Sequence, residues 1–185
     1  MAIRRLSAER DFGQRYHLFD GKGKLTLVAD YASPWLPDDE RHRVRFARSG
    51  GQVVASLDLP EREGRVRNGR SHTSYALILD HAVYAILNKY QEENRDKPPF
   101  FTIEADGLTW LAWHEPDGDS LLTFFSDVPP GLMLVNDPQD LTPYDPAGAV
   151  NQAAGEYDFM VTLSDNPLHH AELILLALIF LVDRA

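Results

Sequence analysis

The chain has 185 residues, of which 44% are hydrophobic and 25% are charged, values close to the average for a folded globular domain. At this length one hydrophobic core buries roughly 70% of the surface that the unfolded chain exposes, so we expect a single domain over residues 1–185. The absence of cysteine excludes disulfides, thiolate metal sites and a cysteine nucleophile. No apolar signal-peptide core follows residues 1–6, which predicts an intracellular, cytoplasmic protein.

The formal net charge is −10, but the two halves of the chain differ in sign. Residues 1–75 hold 14 Lys and Arg against 10 Asp and Glu, whereas residues 76–185 hold 4 against 18. Because nucleic-acid affinity grows with the number of phosphates that cations neutralise, the overall charge disfavours a nucleic-acid partner. Of the 14 cations in the first half, 12 are arginine, which favours bidentate contacts with carboxylates or phosphates.

Short apolar runs separated by glycine-containing turns recur along the chain. The first pair of runs flanks residues 20–23, the second flanks residues 49–51, and the third flanks residues 105–107. A further apolar run, residues 121–125, follows a turn predicted at residues 115–119. Glycine beside Asp, Lys or Ser supplies the positive φ that tight hairpins need, so the pattern predicts a mostly antiparallel β protein.

Residues 74–90 fit either a helix or a hairpin. Their apolar residues recur at helical spacing, so one side of a helix would be apolar. Two strands joined by a turn at Asp80 and His81 would instead continue the surrounding hairpin pattern, although this turn lacks glycine. We favour the hairpin.

The C-terminal segment predicts a helix over about residues 166–183. Asp165 and Asn166 suit the N-cap, and Pro167 suits the first helical turn. Residues 173–182 are apolar without interruption, and a helix that is apolar on every side must be surrounded by protein or by lipid. Because the run is well short of the roughly 20 residues of a membrane span, we expect protein around it, with a tail anchor as the alternative.

A β meander followed by one apolar helix suggests a barrel that closes around the helix. Residues 158–163, the helix and the closing Asp183 and Arg184 resemble the last strand and central helix of the tubby C-terminal-like superfamily, which includes the plant LURP-one-related proteins and the phospholipid scramblases. The hairpins at residues 16–29 and 100–113 are similar to the family's opening and later strands. The resemblance implies a mainly β protein, a closed antiparallel barrel of about twelve strands around one buried C-terminal helix. It implies little about activity, because members range from phosphoinositide binders to proteins of no known function.

Arginine forms the most prominent polar pattern. Arg41, Arg43 and Arg45 alternate with other residues, so a strand here puts three guanidiniums on one face, with Val44 and Phe46 pointing inward. Four further arginines complete the predicted ligand-binding set: Arg48, Arg65, Arg67 and Arg70. Such a face fits an anionic phospholipid head group or an acidic protein partner. The alternative is a solvated strand face whose arginines pair with carboxylates of the same protein.

No sequence pattern points to a catalytic residue, a cofactor or a resident metal. His169 and His170 lack the i, i+4 spacing of a zinc helix, so we expect structural histidines at the barrel mouth. Prolines interrupt the acidic loop that contains Asp137, Asp140 and Asp145, which disfavours calcium. An enzyme would depend on these histidines and aspartates, and a single-stranded nucleic-acid binder would use alternating arginines and aromatics. Both are alternatives to a non-enzymatic binding or scaffold domain.

Overall fold

In a computed structural model of the chain, the described residues form twelve β-strands and one α-helix. The strands are β1 (Ala2–Leu6), β2 (Arg15–Phe19), β3 (Leu25–Tyr31), β4 (Arg43–Arg48), β5 (Val53–Asp58), β6 (Arg70–Leu79), β7 (Ala82–Glu92), β8 (Phe100–Ala105), β9 (Leu108–Trp113), β10 (Ser120–Ser126), β11 (Pro146–Gln152) and β12 (Phe159–Leu163). The helix, α1, spans Ala171–Val182. The description covers residues 1–6, 15–31, 43–59, 70–92, 99–113, 120–126, 146–164 and 168–182.

The twelve strands close into an antiparallel barrel in which strands that follow one another in the sequence lie side by side. The closing pair is β1 and β12, where Ala2 lies opposite Met160 and Ile3 lies opposite Phe159. Short turns explain four of these pairings, β2–β3, β4–β5, β6–β7 and β8–β9, because tight connections join antiparallel neighbours. The predicted fold class, a closed antiparallel β-barrel with a single C-terminal helix, is confirmed.

Residues 74–90 belong to the β6–β7 hairpin, as we favoured from the sequence. Asp80 and His81 form its two-residue turn, with φ angles of 49° and 65°. Positive φ at both central residues is characteristic of a type I′ turn, whose twist matches that of the strands. Asp and His enter this left-handed region more readily than most residues, so the turn forms without glycine.

The helix begins at Ala171 rather than near residue 166. The His170 carbonyl oxygen accepts the first helical hydrogen bonds, from the nitrogens of Leu173 and Ile174 at 3.0 and 3.5 Å. His170 itself has a φ of 52°, and this left-handed backbone prevents the helix from starting earlier. The N-cap predicted at residues 165–167 lies outside the described residues.

α1 fills the lumen of the barrel. Eleven of its twelve residues are buried, and Glu172 is partly exposed. The Phe180 ring packs against two strand tyrosines, with centroid distances of 6.2 Å to Tyr16 and 6.0 Å to Tyr31. The apolar run of residues 173–182 is thus surrounded by inward side chains of the strands, as predicted. Within the described part of the chain, no helix combines the length and apolar character needed to cross a bilayer.

Side chains of the strands alternate between the core and the outside. In β9, Trp110 lies in the central core, whereas Trp113 lies in a separate outer cluster and stacks on Phe100 at a centroid distance of 5.4 Å. In β4, Val44 and Phe46 are buried in the central core. Because the helix occupies the lumen, outward side chains are the ones that a partner can reach.

Candidate anion-binding face

Arg43 and Arg45 lie on the outer face of β4, as the sequence pattern predicted. Val44 and Phe46 alternate with them and are fully buried at 0% exposure. Arg43 is exposed and Arg45 is partly exposed. Two guanidiniums therefore project outward from positions about 7 Å apart along the strand.

The structure does not place the other five predicted arginines beside Arg43 and Arg45. Arg48 ends β4 and lies in register with the buried Leu27, at the opposite end of the strand from Arg43. Arg70 begins β6, where its backbone pairs with Glu92, and its side chain is not among the described ones. Three members of the set lie outside the described residues: Arg41, Arg65 and Arg67.

Carboxylates on neighbouring strands face the two arginines of β4. Arg43 Nε lies 2.7 Å from Asp58 Oδ1, across the β4–β5 ladder. Asp30 of β3 lies in register between Arg15 of β2 and Arg45 of β4, and it forms an ion pair with Arg15. These partners are distant in sequence, so the spacing of charges along the chain could not identify them.

The ion pairs of this face are only half-buried. The side chains of Arg43 and Asp58 are 45% and 38% exposed, and those of Arg15 and Asp30 are 49% and 38% exposed. Exposed pairs of this kind contribute only about 0–1 kcal/mol each to stability. An incoming anion can therefore replace a carboxylate partner at a small cost in stability.

His17 of β2 also belongs to this face, and the sequence interpretation missed it. Burial lowers the pKa of His17, the positive charges of Arg15 and Arg4 lower it as well, and Asp30 acts in the opposite direction. Arg15 has the largest effect among these charges, so the imidazole reports on the guanidinium beside it. The signal that could have identified Arg15 and His17 is the alternation of polar and apolar residues in β2.

Arg4 has a different role, because the loop between β11 and β12 holds it. Its guanidinium lies over the rings of Phe19 and Tyr157, at 5.4 and 5.5 Å from their centroids. Its Nε donates to the Glu156 carbonyl oxygen at 3.0 Å, and its Nη2 forms an ion pair with the Glu156 carboxylate. Arg4 therefore fastens this loop beside the β1–β12 closure, and we leave it out of the candidate site.

The described charges are segregated around the barrel. β1–β5 and their described turns hold eight Lys and Arg against three Asp and Glu. The remaining described residues hold two Lys and Arg against seven Asp and Glu. Because charges beyond about 8 Å are largely screened at physiological salt, an approaching anion responds mainly to the nearer side. It is therefore attracted to β1–β5.

A second polar group lies where the chain enters α1. The Tyr84 hydroxyl donates to Asp106 Oδ2 at 2.8 Å and also contacts the His169 carbonyl oxygen. The His169 backbone nitrogen donates to the same carboxylate oxygen at 3.1 Å, and the His170 ring packs edge-on against Tyr84. Burial, followed by the hydrogen bond to Asp106, raises the pKa of Tyr84 far above its usual range. This network fixes the start of the helix at the edge of the barrel.

The alternative enzyme hypothesis needs these histidines to meet an acidic loop. His169 and His170 are exposed, and their described contacts go to Tyr84 and Asp106. The other members of the proposed apparatus lie outside the described residues: Asp137, Asp140 and Asp145. Among the side chains that the structure describes, no three of His, Asp or Glu are grouped closely enough to hold a metal ion.

The chain matches no protein-family model, no curated protein and no solved structure in the comparisons made. Functional inference therefore depends on the geometry and charge of the barrel surface. The tubby-like resemblance stays a prediction from the sequence.

Proposed function

We propose that the protein is a non-enzymatic, cytoplasmic binding or scaffold domain of the tubby-like kind, whose outer face recognises an anionic lipid head group or an acidic protein partner. One observation carries the proposal: Arg43 and Arg45 project from the outside of a barrel whose lumen is filled by α1. A ligand of such a barrel has to bind on the outer surface.

The chemistry of the face suits an oxyanion. The planar donor fork of arginine forms paired hydrogen bonds with phosphate or carboxylate oxygens. Arg43 and Arg45 are about 7 Å apart along β4, so each can bind a different oxyanion group of one ligand. Arg15 lies two strands from Arg45 in the same register row and adds a third cation. Asp58 pairs with Arg43, and Asp30 pairs with Arg15, until an anion displaces these carboxylates.

The proposal is tested by measuring the affinity of the protein for two probes, each at low and at high salt. The probes are inositol trisphosphate and vesicles that contain phosphoinositides. The double variant Arg43→Gln with Arg45→Gln should bind both probes more weakly at low salt, because it removes the two outward cations of β4. Its melting temperature should stay within a few degrees of wild type, since exposed ion pairs contribute only about 0–1 kcal/mol each. The matched control, Asp30→Asn with Asp58→Asn, removes the competing carboxylates of the same face and should bind more tightly.

NMR titration of His17 gives an independent signal from this face. A bound anion should raise the pKa of His17, because a nearby negative charge favours the imidazolium form. Wild-type protein that ignores both probes at low salt would contradict the proposal. Unfolding of the double arginine variant would also contradict it, since the arginines would then be structural.

A further inference from the structure

The outward side chains of β5, β6 and β7 form an apolar patch next to the arginines. The apolar patch consists of Val53, Ala76, Ile78, Val83 and Ile86. Val53 and Val83 are 53% and 60% exposed, and the other three are partly exposed. Among the described residues, one further large hydrophobic side chain is exposed to a comparable degree, Met160 at 44%.

The strand registers connect Ala76, Ile78, Val83 and Ile86 to the arginine face, and Val53 lies in register with Ala47, one outward position along β4 from Arg45. One cross-strand row runs from Arg45 through Ser56 and Ile78 to Val83. Adjacent strands are about 4.8 Å apart, so Arg45 and Val83 are separated by roughly 14 Å.

A second row, parallel to the first, runs from Arg43 through Asp58 and Ala76 to Ile86. Each row therefore begins at a guanidinium and ends at an aliphatic side chain. The arginine face and the apolar patch form one surface on the same side of the barrel.

The apolar outward side chains of the apolar patch are not what a solvent-facing sheet surface normally carries. A sheet with one face on the core and one in water normally has polar outward residues, whereas residues 76–79 of β6 and residues 83–87 of β7 carry apolar side chains on both faces. The inward Leu77 and Leu87 are fully buried, while the outward Ile78 and Ile86 are partly exposed. Contiguous exposed apolar side chains on a folded domain mark a surface that contacts something apolar.

The two borders of the apolar patch carry opposite charges. Arg43 and Arg45 lie on the β4 border, within the side of the barrel that holds eight Lys and Arg against three Asp and Glu. Glu104 lies on the β8 border, in register with Ile86, and is exposed. An anionic surface is therefore attracted at the β4 border and repelled at the β8 border.

We propose that the apolar patch rests on an anionic lipid bilayer, with Val53 and Val83 in the boundary between head groups and acyl chains and with Arg43 and Arg45 at the head groups. The inference rests on the proposed function and specifies which of its targets is the ligand. A bilayer offers apolar chains and anionic groups together, and interfacial binding gains from buried apolar area and from electrostatic attraction at once. Long arginine side chains can reach head groups while neighbouring aliphatic residues insert.

Co-sedimentation with vesicles tests the inference. Wild type should bind vesicles of phosphatidylcholine with phosphatidylserine, and should bind vesicles of phosphatidylcholine alone far more weakly. The double variant Val53→Thr with Val83→Thr keeps the β-branched shape and removes apolar surface, so its affinity for anionic vesicles should fall roughly tenfold. Val83→Leu should bind several-fold more tightly. The matched control is Met160→Gln on β12, which lies far from the patch in the strand order and should bind as wild type does.

Binding of soluble inositol trisphosphate separates this inference from the proposed function. The double threonine variant should bind that probe as wild type does, because its arginines are intact. The inference is overturned if the double threonine variant binds anionic vesicles as tightly as wild type. It is also overturned if Met160→Gln loses as much vesicle affinity as the threonine variant. Tighter binding of wild type to a soluble acidic peptide than to vesicles would overturn it as well. Wild type that binds anionic vesicles but not inositol trisphosphate, with no effect of the arginine variants, would overturn the proposed function and the head-group contacts of Arg43 and Arg45. Weaker vesicle binding by the threonine variant would then still support insertion of the apolar patch.

Discussion

Individual residues of the barrel make close contacts with residues from other parts of the sequence. Gly148 of β11 is close to β12: a Cβ at this position would come within 2.5 Å of the Thr162 carbonyl oxygen and within 2.7 Å of a Leu163 side-chain carbon. Tyr84 links the β6–β7 hairpin to the backbone of His169. Neither contact follows from the local sequence, because each depends on which segments the fold brings together.

Replacement of Gly148 by alanine should destabilise the barrel by about 1–3 kcal/mol, because the new methyl group overlaps backbone that cannot move aside easily. Gly50→Ala is the matched control: no atom lies within 4 Å of a Cβ built there, so its stability should be close to wild type. Urea denaturation of the three proteins measures the difference. Equal urea midpoints for Gly148→Ala and Gly50→Ala would contradict the close approach of β11 and β12 at Gly148.

The pKa of His17, lowered by burial and then by Arg15, predicts a pH dependence of stability. Between the lowered folded pKa and the unfolded value of about 6.5, the unfolded chain binds more protons than the folded one. Stability should therefore be lost as the pH falls from 7 through this window. His17→Gln should lose less stability than wild type over the same range.

Chemical denaturation at pH 7 and pH 5 measures this difference. His169→Gln is the matched control, because His169 is exposed and its described hydrogen bonds come from its backbone, so its curve should follow that of wild type. If wild type and His17→Gln lose the same stability between the two pH values, the environment assigned to His17 is wrong.

Among the elements, the hairpins were the easiest to predict and the start of the helix was the hardest. Gly-containing turns and short apolar runs identified the β2–β3, β4–β5 and β8–β9 hairpins, since turn chemistry is local. The uninterrupted apolar run identified α1 as a buried helix. Its first residue differs from the prediction because His170 adopts a left-handed backbone against Tyr84, a contact that the N-cap rules do not include.

Substitutions in α1 test its role as the centre of the core. Leu176 is fully buried, so Leu176→Ala should cost about 2–5 kcal/mol. Ile174→Asp should prevent folding, because a lone carboxylate in the lumen would have no partner. Glu172→Gln, at the partly exposed position of the helix, should change stability little.

Thermal unfolding measures these effects, and circular dichroism confirms whether each variant folds. A chain that lacks residues 168–185 should fail to fold, because the barrel would lose the helix that fills it. Recovery of a well-folded truncated protein would contradict the central position of α1.

At the scale of the whole molecule, the barrel has a cationic side, an apolar patch beside it and an acidic remainder. The sequence predicted the charge difference between the halves and the outward direction of Arg43 and Arg45, because both follow from composition and from strand alternation. It did not predict the paired carboxylates Asp30 and Asp58, which depend on register. The apolar patch was also missed, although the unbroken apolar runs of β6 and β7 are the pattern expected of strands that are apolar on both faces.

The central claim is that this side of the barrel, and no other, meets an anionic bilayer. Because the chain contains no cysteine, a single introduced cysteine can carry an environment-sensitive fluorophore without competing labelling. The most direct measurement compares the emission of a label at Val83→Cys with that of a label at Met160→Cys as anionic vesicles are added. The account predicts a blue shift and a gain in intensity at position 83 and no change at position 160. An unchanged label at 83 on vesicle-bound protein, or the same shift at both positions, would contradict it.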